Sequence, residues 1–514
     1  MAIKVHSGQT LGLKGKIIDV EIDLAQGLHH FSIVGLADKA VDESRDRVSA
    51  AIKNNGFNSP QKKNRRITIS LAPADIKKEG PVFDLAIALS FLLASSQVNF
   101  STEKKMFLGE LGLDGTLRPI KGTLSLARTA KDKGFEEIYL PLENAQEAAL
   151  IKGLDVYGVK SIKELINHLE NEENIEKQPE TTIKFENKFE NLLDFSDIKG
   201  QETAKRGLEI AAAGGHNVAM IGPPGTGKTM LAKAFSTILP PPSFEETLET
   251  TEIHSVAGVL DGPYITSRPL RAPHHTSSYV ALVGGGTWPK PGEISLGHRG
   301  VLFLDEFPLF ERRVIEALRQ PLEDGVVTIS RARGSLKFPA RFILICAMNP
   351  CPCGNLGSSV KECICSQGDL LRYQRKISGP IIDRVDLWLD VPQIEIEKLS
   401  KDEITSEKSD QIQKRVVGAR KIQEKRFSAK GGSASGGKNI ITNCEMNVRH
   451  LKEFAQLSNS VRQALDQAAK RLDLSARAYH RIIKLARTIA DLDASENILE
   501  NHIFEALQYR PKTS

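Results

Sequence analysis

The stretch IGPPGTGKTM (221–230) sets Gly222, Gly227, Lys228 and Thr229 in the pattern G-x-x-x-x-G-K-[ST]. Glycines in such a loop let backbone N–H groups close around phosphate oxygens at a helix start, whose dipole also favours anions. Gly222, Pro223, Pro224, Gly225, Thr226 and Gly227 are therefore the candidate cradle for ATP. Lys228 is the cation for the β- and γ-phosphates, and Thr229 a ligand for Mg2+. A glycine turn without nucleotide is the bland alternative. GVLFLDEF (300–307) supplies the acidic partner, an apolar strand that ends in Asp305 and Glu306. Asp305 suits the Mg2+ shell and Glu306 suits activation of the attacking water. RFILICAMNP (341–350) is a second apolar strand, and Asn349 at its end can orient that water.

Directly after Asn349 come Cys351, Cys353, Cys363 and Cys365, four of the six cysteines of the chain. Four thiolates joined by a Gly/Ser connector can close a tetrahedral shell, with Zn2+ as the first choice. An iron–sulfur cluster and unliganded thiols stay open. The pair His274-His275 is too distant in sequence to be counted among the ligands.

These residues need a sheet to hold them. NVAMI (217–221) reads as the strand before the phosphate loop and MLAKAFSTIL (230–239) as the helix after it. Earlier, KIIDVEIDL (16–24) and RRITISLAP (65–73) read as strands, and 38–56 and 84–95 as helices. The expected organisation is a domain over 1–170, a charged linker over 171–190, an ATPase core over 191–392, and a helical region over 393–514. A Gly/Ser loop interrupts the last at 428–439. Among 514 residues, 69 are basic and 64 acidic, a net charge of +5 that excludes a histone-like polycation. A local basic channel remains compatible with that balance. We find no secretory pattern and no run of 18 apolar residues, so the expectation is a cytoplasmic protein with no membrane partner.

The P-loop, the FLDE strand, the strand ending in Asn349, and SGPIIDRVDL (378–387) together resemble the AAA+ ATPases, an α/β class with a helical lid. Within them the chain resembles the Mg-chelatase-like group, and closely the YifB/ComM family, over nearly its whole length. The resemblance implies that Arg384 acts as a finger across a subunit boundary, that Arg477 at the start of a lid helix senses the γ-phosphate, and that the assembly is a homo-hexamer. Segments 77–95 and 109–148 are similar to the ribosomal-S5-like domain of Lon-type proteases. The nucleophilic serine of that family is matched by Val82 and its lysine by Leu124, so a Ser–Lys dyad has neither member.

Two insertions separate the ATPase motifs. The first (253–300) offers Arg268, Arg271 and Trp288; the second (325–342) reads as a β-hairpin offering Arg331, Arg333 and Lys337. Such clusters suit phosphate contacts, and an aromatic can stack on a base. The family implies a motor on branched or single-stranded DNA, a branch-migration helicase that integrates DNA in natural transformation. The alternative is a remodelling or chelatase-type ATPase that acts on a protein partner.

Overall fold

The computed structural model describes residues 3–183, 193–286, 288–331, 334–357, 361–376, 379–393, 407–428 and 440–511. The chain divides into two compact units. Unit 1 comprises Met1–Lys184 and Ser243–Thr266, and unit 2 comprises Phe185–Pro242 and Ser267–Ser514. Part of the charged linker and the Gly/Ser loop over 429–439 lie outside the described residues.

Unit 1 is built on a seven-stranded mixed sheet. Its strands are β1 (Ile3–Leu11), β2 (Lys14–Gln26), β3 (His30–Val34), β4 (Arg65–Ala72), β5 (Lys105–Phe107), β6 (Glu137–Pro141) and β7 (Asp155–Val159). They lie in the order β3-β4-β2-β1-β5-β6-β7. Alternation along β2 turns Ile18, Val20 and Ile22 inward. The helix Asp84–Ala94 is apolar all round and correspondingly buried. Leu124 is fully buried in an apolar cluster, and Val82 packs against it.

The stretch Ser243–Thr266 falls in unit 1 although the sequence boundaries put it in the ATPase core. Its helix Phe244–Ala257 buries mostly polar side chains, Thr247, Thr250, Thr251, Glu252 and Ser255 among them. Hydrophobic patterning therefore says little about where the helix docks. Specific bonds hold it instead. Glu252 accepts from Ser125 Oγ at 3.0 Å and pairs with Arg128 at 2.9 Å. Ser255 Oγ donates to Glu147 at 2.5 Å and accepts from the Gly122 N–H at 3.0 Å.

Unit 2 carries a five-stranded sheet of β8 (Val218–Ile221), β9 (Leu270–Arg271), β10 (Val301–Leu304), β11 (Ile343–Met348) and β12 (Leu387–Asp390). The order is β9-β10-β11-β8-β12, every pair parallel. The β10 and β11 side chains are all buried, as expected of strands covered on both faces. The helices Glu202–Gly214 and Lys228–Ile238 share one apolar core with the C-terminal helices: Leu208, Val218 and Phe235 belong to the same cluster as Val416, Leu485, Ile489 and Ile503. The second insertion is the expected hairpin, Val326–Arg331 against Gly334–Pro339. No helix among the described residues is long and apolar enough to cross a membrane.

Candidate active site

Because the sheet is parallel, its strands end along one edge. Ile221 lies opposite Met348 and Asp390, and Leu304 opposite Cys346. The phosphate loop after β8, Asp305-Glu306 after β10 and Asn349 after β11 are therefore gathered at the carboxyl ends of three adjacent strands. Gly222 is required by close approach. A Cβ there would meet the Val391 carbonyl oxygen at 2.0 Å. Gly227 has φ of 89°, a left-handed conformation that glycine adopts without strain, at the start of the Lys228–Ile238 helix.

The Lys228 ammonium is folded onto the loop, donating to the carbonyls of Gly222 at 2.7 Å and Pro223 at 2.8 Å and to Asn349 Oδ1 at 3.3 Å. Burial pushes its pKa down, with Asp305 acting in the opposite sense. Thr229 Oγ1 donates to Asp305 Oδ2 at 2.7 Å. Two oxygens on adjacent corners of a Mg2+ octahedron lie about 3.0 Å apart, so this exposed pair fits a shared hard cation. The other Asp305 oxygen accepts the Glu306 N–H at 2.9 Å. Glu306 sits in a left-handed conformation with φ of 50°, and its Oε2 lies 3.2 Å from His275 Nδ1.

The four cysteines converge. Their sulfurs all lie within 4.8 Å of one another. The distances are 3.4 Å for Cys351–Cys353, 3.7 Å for Cys351–Cys363 and 3.6 Å for Cys353–Cys363. A tetrahedron with Zn–S bonds of about 2.3 Å has edges of about 3.8 Å, so the cluster fits a single four-coordinate ion. The Leu356 N–H donates to Cys351 Sγ at 3.3 Å. Backbone donors, Asn355 foremost and then Ile364, pull the Cys353 thiol down to about 6. At Cys365 the backbone of Cys353 pulls the same way, but desolvation and the other three sulfurs outweigh it and raise that thiol to about 12. Crowded sulfurs cannot all ionise without a cation among them. An open cleft of about 720 Å3 runs from Glu306 and Asn349 to Cys351, Cys353 and Cys365. Tyr373 lines it and donates to the Asn349 carbonyl at 3.0 Å.

Arg384 and Arg477 lie elsewhere. Arg384 precedes β12, whose Leu387 pairs with Val218 at the amino end of β8. Four strand residues then span about 10 Å before the edge that carries the phosphate loop. Arg384 pairs with Glu323 at 2.5 Å, and Arg477 with the adjacent Asp383 at 3.4 Å. Neither guanidinium is directed at the phosphate loop of its own chain. The cationic insertion residues also divide. Arg268 donates to the carbonyls of Pro240 at 2.6 Å and Arg299 at 2.7 Å. Arg271 grips Glu293 with two bonds of 2.6 and 2.7 Å. Both expected phosphate contacts are thus bonded to other groups of unit 2, Arg268 to carbonyls and Arg271 to a carboxylate. Lys337 is exposed on the hairpin, while the Arg331 side chain and Arg333 lie outside the described residues.

Sequence reasoning missed two residues that the fold brings in. Gln201 donates to the Pro392 carbonyl at 2.7 Å and to Thr226 O at 3.3 Å, joining the phosphate loop to the end of β12. Tyr373 is the other. No motif marks them, because each acts on a residue far away in the chain. His275, set aside in the sequence as a metal ligand, lies instead beside Glu306.

A five-stranded parallel sheet with a phosphate loop, an acidic pair and a polar strand end along one edge, sharing its core with C-terminal helices, defines a P-loop ATPase of the AAA+ class. Comparison with known proteins narrows the class. The family model described as magnesium chelatase, subunit ChlI, matches residues 194–399. Those for subunit ChlI of Mg-chelatase and for the ChlI C-terminal part match 20–144 and 406–510. Competence protein ComM of Haemophilus influenzae is 42% identical over 98% of this chain and 97% of its own. YifB of Escherichia coli is 41% identical over 98% and 96%. The magnesium-chelatase 38 kDa subunit of Rhodobacter capsulatus is 28% identical over 31% of this chain and 51% of its own. The chain belongs to the YifB/ComM family of Mg-chelatase-like ATPases. The family implies ATP and Mg2+ at the site.

Proposed function

We propose that this chain is one subunit of a ring, a homo-hexamer, that hydrolyses ATP to move DNA, promoting branch migration when incoming DNA is integrated. One observation carries the ring: Arg384 lies at the sheet edge opposite its own phosphate loop, so it serves a neighbour's site. In a heterologous interface that closes by rotation, every site receives such an arginine. The kinship with a competence protein and the Lys337 hairpin support DNA as the substrate.

At each site Lys228 swings from the Gly222 and Pro223 carbonyls to the β- and γ-phosphates. Thr229 and Asp305 hold Mg2+, which when bound neutralises the phosphate oxygens. Glu306 takes the proton of the attacking water, oriented by Asn349, and Arg384 of the neighbour stabilises charge on the transferring phosphoryl. Arg477 beside Asp383 is proposed to face the same neighbouring site. Cys351, Cys353, Cys363 and Cys365 are proposed to hold Zn2+ and so stiffen the chain that follows Asn349.

The test measures ATP turnover and branched-junction resolution with and without DNA. Removing Arg331, Arg333 and Lys337 together should weaken DNA binding for all sequences alike, because phosphates carry no sequence information. It should also flatten the slope of log K against log salt by about one unit per lost contact. If wild-type turnover ignores DNA, no junction is resolved and a protein partner stimulates instead, the chain is a remodelling ATPase.

A further inference from the structure

The turn that carries Arg384 is held by side chains from two other parts of unit 2. It follows the short helix Gly379–Ile382 and leads into β12. Within the turn, the Arg384 N–H donates to the Ile381 carbonyl at 2.8 Å and the Val385 N–H to the Ile382 carbonyl at 3.2 Å. Ile381 and Val385 are buried and seat the turn in the core. From the sheet, Asn217, directly before β8, donates through Nδ2 to the Arg384 carbonyl at 3.0 Å. The Asn217 carbonyl accepts the N–H groups of Asp386 at 2.9 Å and Leu387 at 3.0 Å. From the C-terminal helices, Arg481 Nη1 donates to the Val385 carbonyl and, at 3.3 Å, to that of Ile382. Ile382 closes its helix, so its carbonyl has no intrahelical partner and a guanidinium suits it as a donor.

Arg481 belongs to the helix Ala476–Leu492, which Ile482, Ile483, Leu485 and Ile489 anchor in the core of unit 2. Arg477 lies one turn earlier on that helix, and residues four apart share a face. Its guanidinium pairs with Asp383 Oδ2 at 3.4 Å. One helix face thus meets the whole turn, Arg477 at the Asp383 side chain and Arg481 at the backbone on both sides of Arg384. The Arg477 pair is exposed on both sides and such pairs are worth little. The carbonyl bonds of Arg481 are therefore the firm part of the attachment.

We propose that Arg481 is a positioning residue for Arg384. By gripping the Ile382 and Val385 carbonyls it fixes the turn from which Arg384 reaches a neighbouring subunit's ATP. It also yokes Arg384 to Arg477, so that both cations arrive at that site together. This rests on the reading of Arg384 as a residue that acts in trans.

The experiment uses full-length protein, steady-state ATP turnover, and assemblies of two co-expressed chains under different tags. Arg481→Met keeps an unbranched apolar stem and removes the donors. Its ATP affinity should stay unchanged while kcat falls about 10²-fold, the order that a misplacement of about 1 Å costs. Arg481→Lys, which returns a donor to the carbonyls, should recover part of the loss. Mixed with Lys228→Ala chains, Arg481→Met chains should regain about one quarter of wild-type turnover, because they bind ATP and receive a well-placed arginine from the neighbour. Mixed with Arg384→Ala chains they should gain nothing, because neither chain offers one. A purely structural role would not distinguish the two mixtures. If Arg481→Met does not fold, Arg481→Lys is carried through the same mixtures with the same expectations. Wild-type kcat in Arg481→Met, weakened ATP binding, or recovery with Arg384→Ala chains in place of Lys228→Ala chains overturns the proposal. Arg384→Ala mixed with Lys228→Ala is the control. No recovery there sinks the trans reading and this proposal with it, whereas recovery there and none for Arg481→Met with Lys228→Ala sinks this proposal alone.

Discussion

Replacing Arg384 with alanine separates a site completed within one chain from a site completed by a neighbour. Arg384 stands before β12, about 10 Å of strand away from the edge that carries Lys228. Nucleotide affinity per subunit should therefore stay within a factor of about two. Arg384 is only 12% exposed while its partner Glu323 is 60% exposed, so a thermal-unfolding curve of the variant is taken beside the turnover to separate loss of catalysis from loss of fold. Turnover should fall by about 10³-fold or more, the contribution of a trans-acting arginine to phosphoryl transfer. The decisive assay co-expresses Arg384→Ala chains with Lys228→Ala chains under different tags, in equal amounts, and purifies assemblies that carry both. A working site then needs an Arg384→Ala chain to bind ATP, a chance of about one half, beside a Lys228→Ala chain that supplies the intact arginine, again about one half. Activity should return to about one quarter of wild type, although each variant alone is inactive. If mixed assemblies stay at background, every chain completes its own site and the ring reading of Arg384 is wrong.

Freshly purified, reduced protein should contain about one zinc per chain, and chelation should lower both thermal stability and turnover. Elemental analysis that finds iron would select the cluster alternative, and analysis that finds no metal would remove the site. In unit 1, burial raises the Glu147 carboxyl above the ordinary glutamate range, against the Ser255 hydroxyl, the Leu124 N–H and Asn144. The folded state then holds that proton more tightly than the unfolded chain does. The resulting stability is fully present below the ordinary glutamate pKa and is lost as pH rises through the raised value. Glu147→Gln should remove this loss from unfolding curves taken between about pH 4 and 8. An identical pH slope in wild type and variant would refute the assignment.

The phosphate loop, the acidic pair and Asn349 were legible in the sequence because each is a local device. A glycine spacing, a carboxylate pair or an amide at the end of an apolar run carries its chemistry wherever a parallel sheet places it. The cysteine cluster was legible for a similar reason, since all four thiols fall within one short segment. The hairpin over 326–339 declared itself by alternation and a glycine turn. Other features depended on proximity in space. Whether Arg268 and Arg271 offer free cations was settled by loop carbonyls and by Glu293, whose distance from them in the chain says nothing about contact. The docking of Phe244–Ala257 in unit 1 rests on Glu252 and Ser255 meeting Arg128 and Glu147, polar partners that no hydrophobic period announces. The contact of His275 with Glu306 exists because β9 pairs with β10, and the remoteness of Arg384 from its own phosphate loop exists because β12 runs parallel to β8. Strand order and direction are collective properties of the packed sheet. They result from burying several apolar strands together, so no single stretch of residues encodes them.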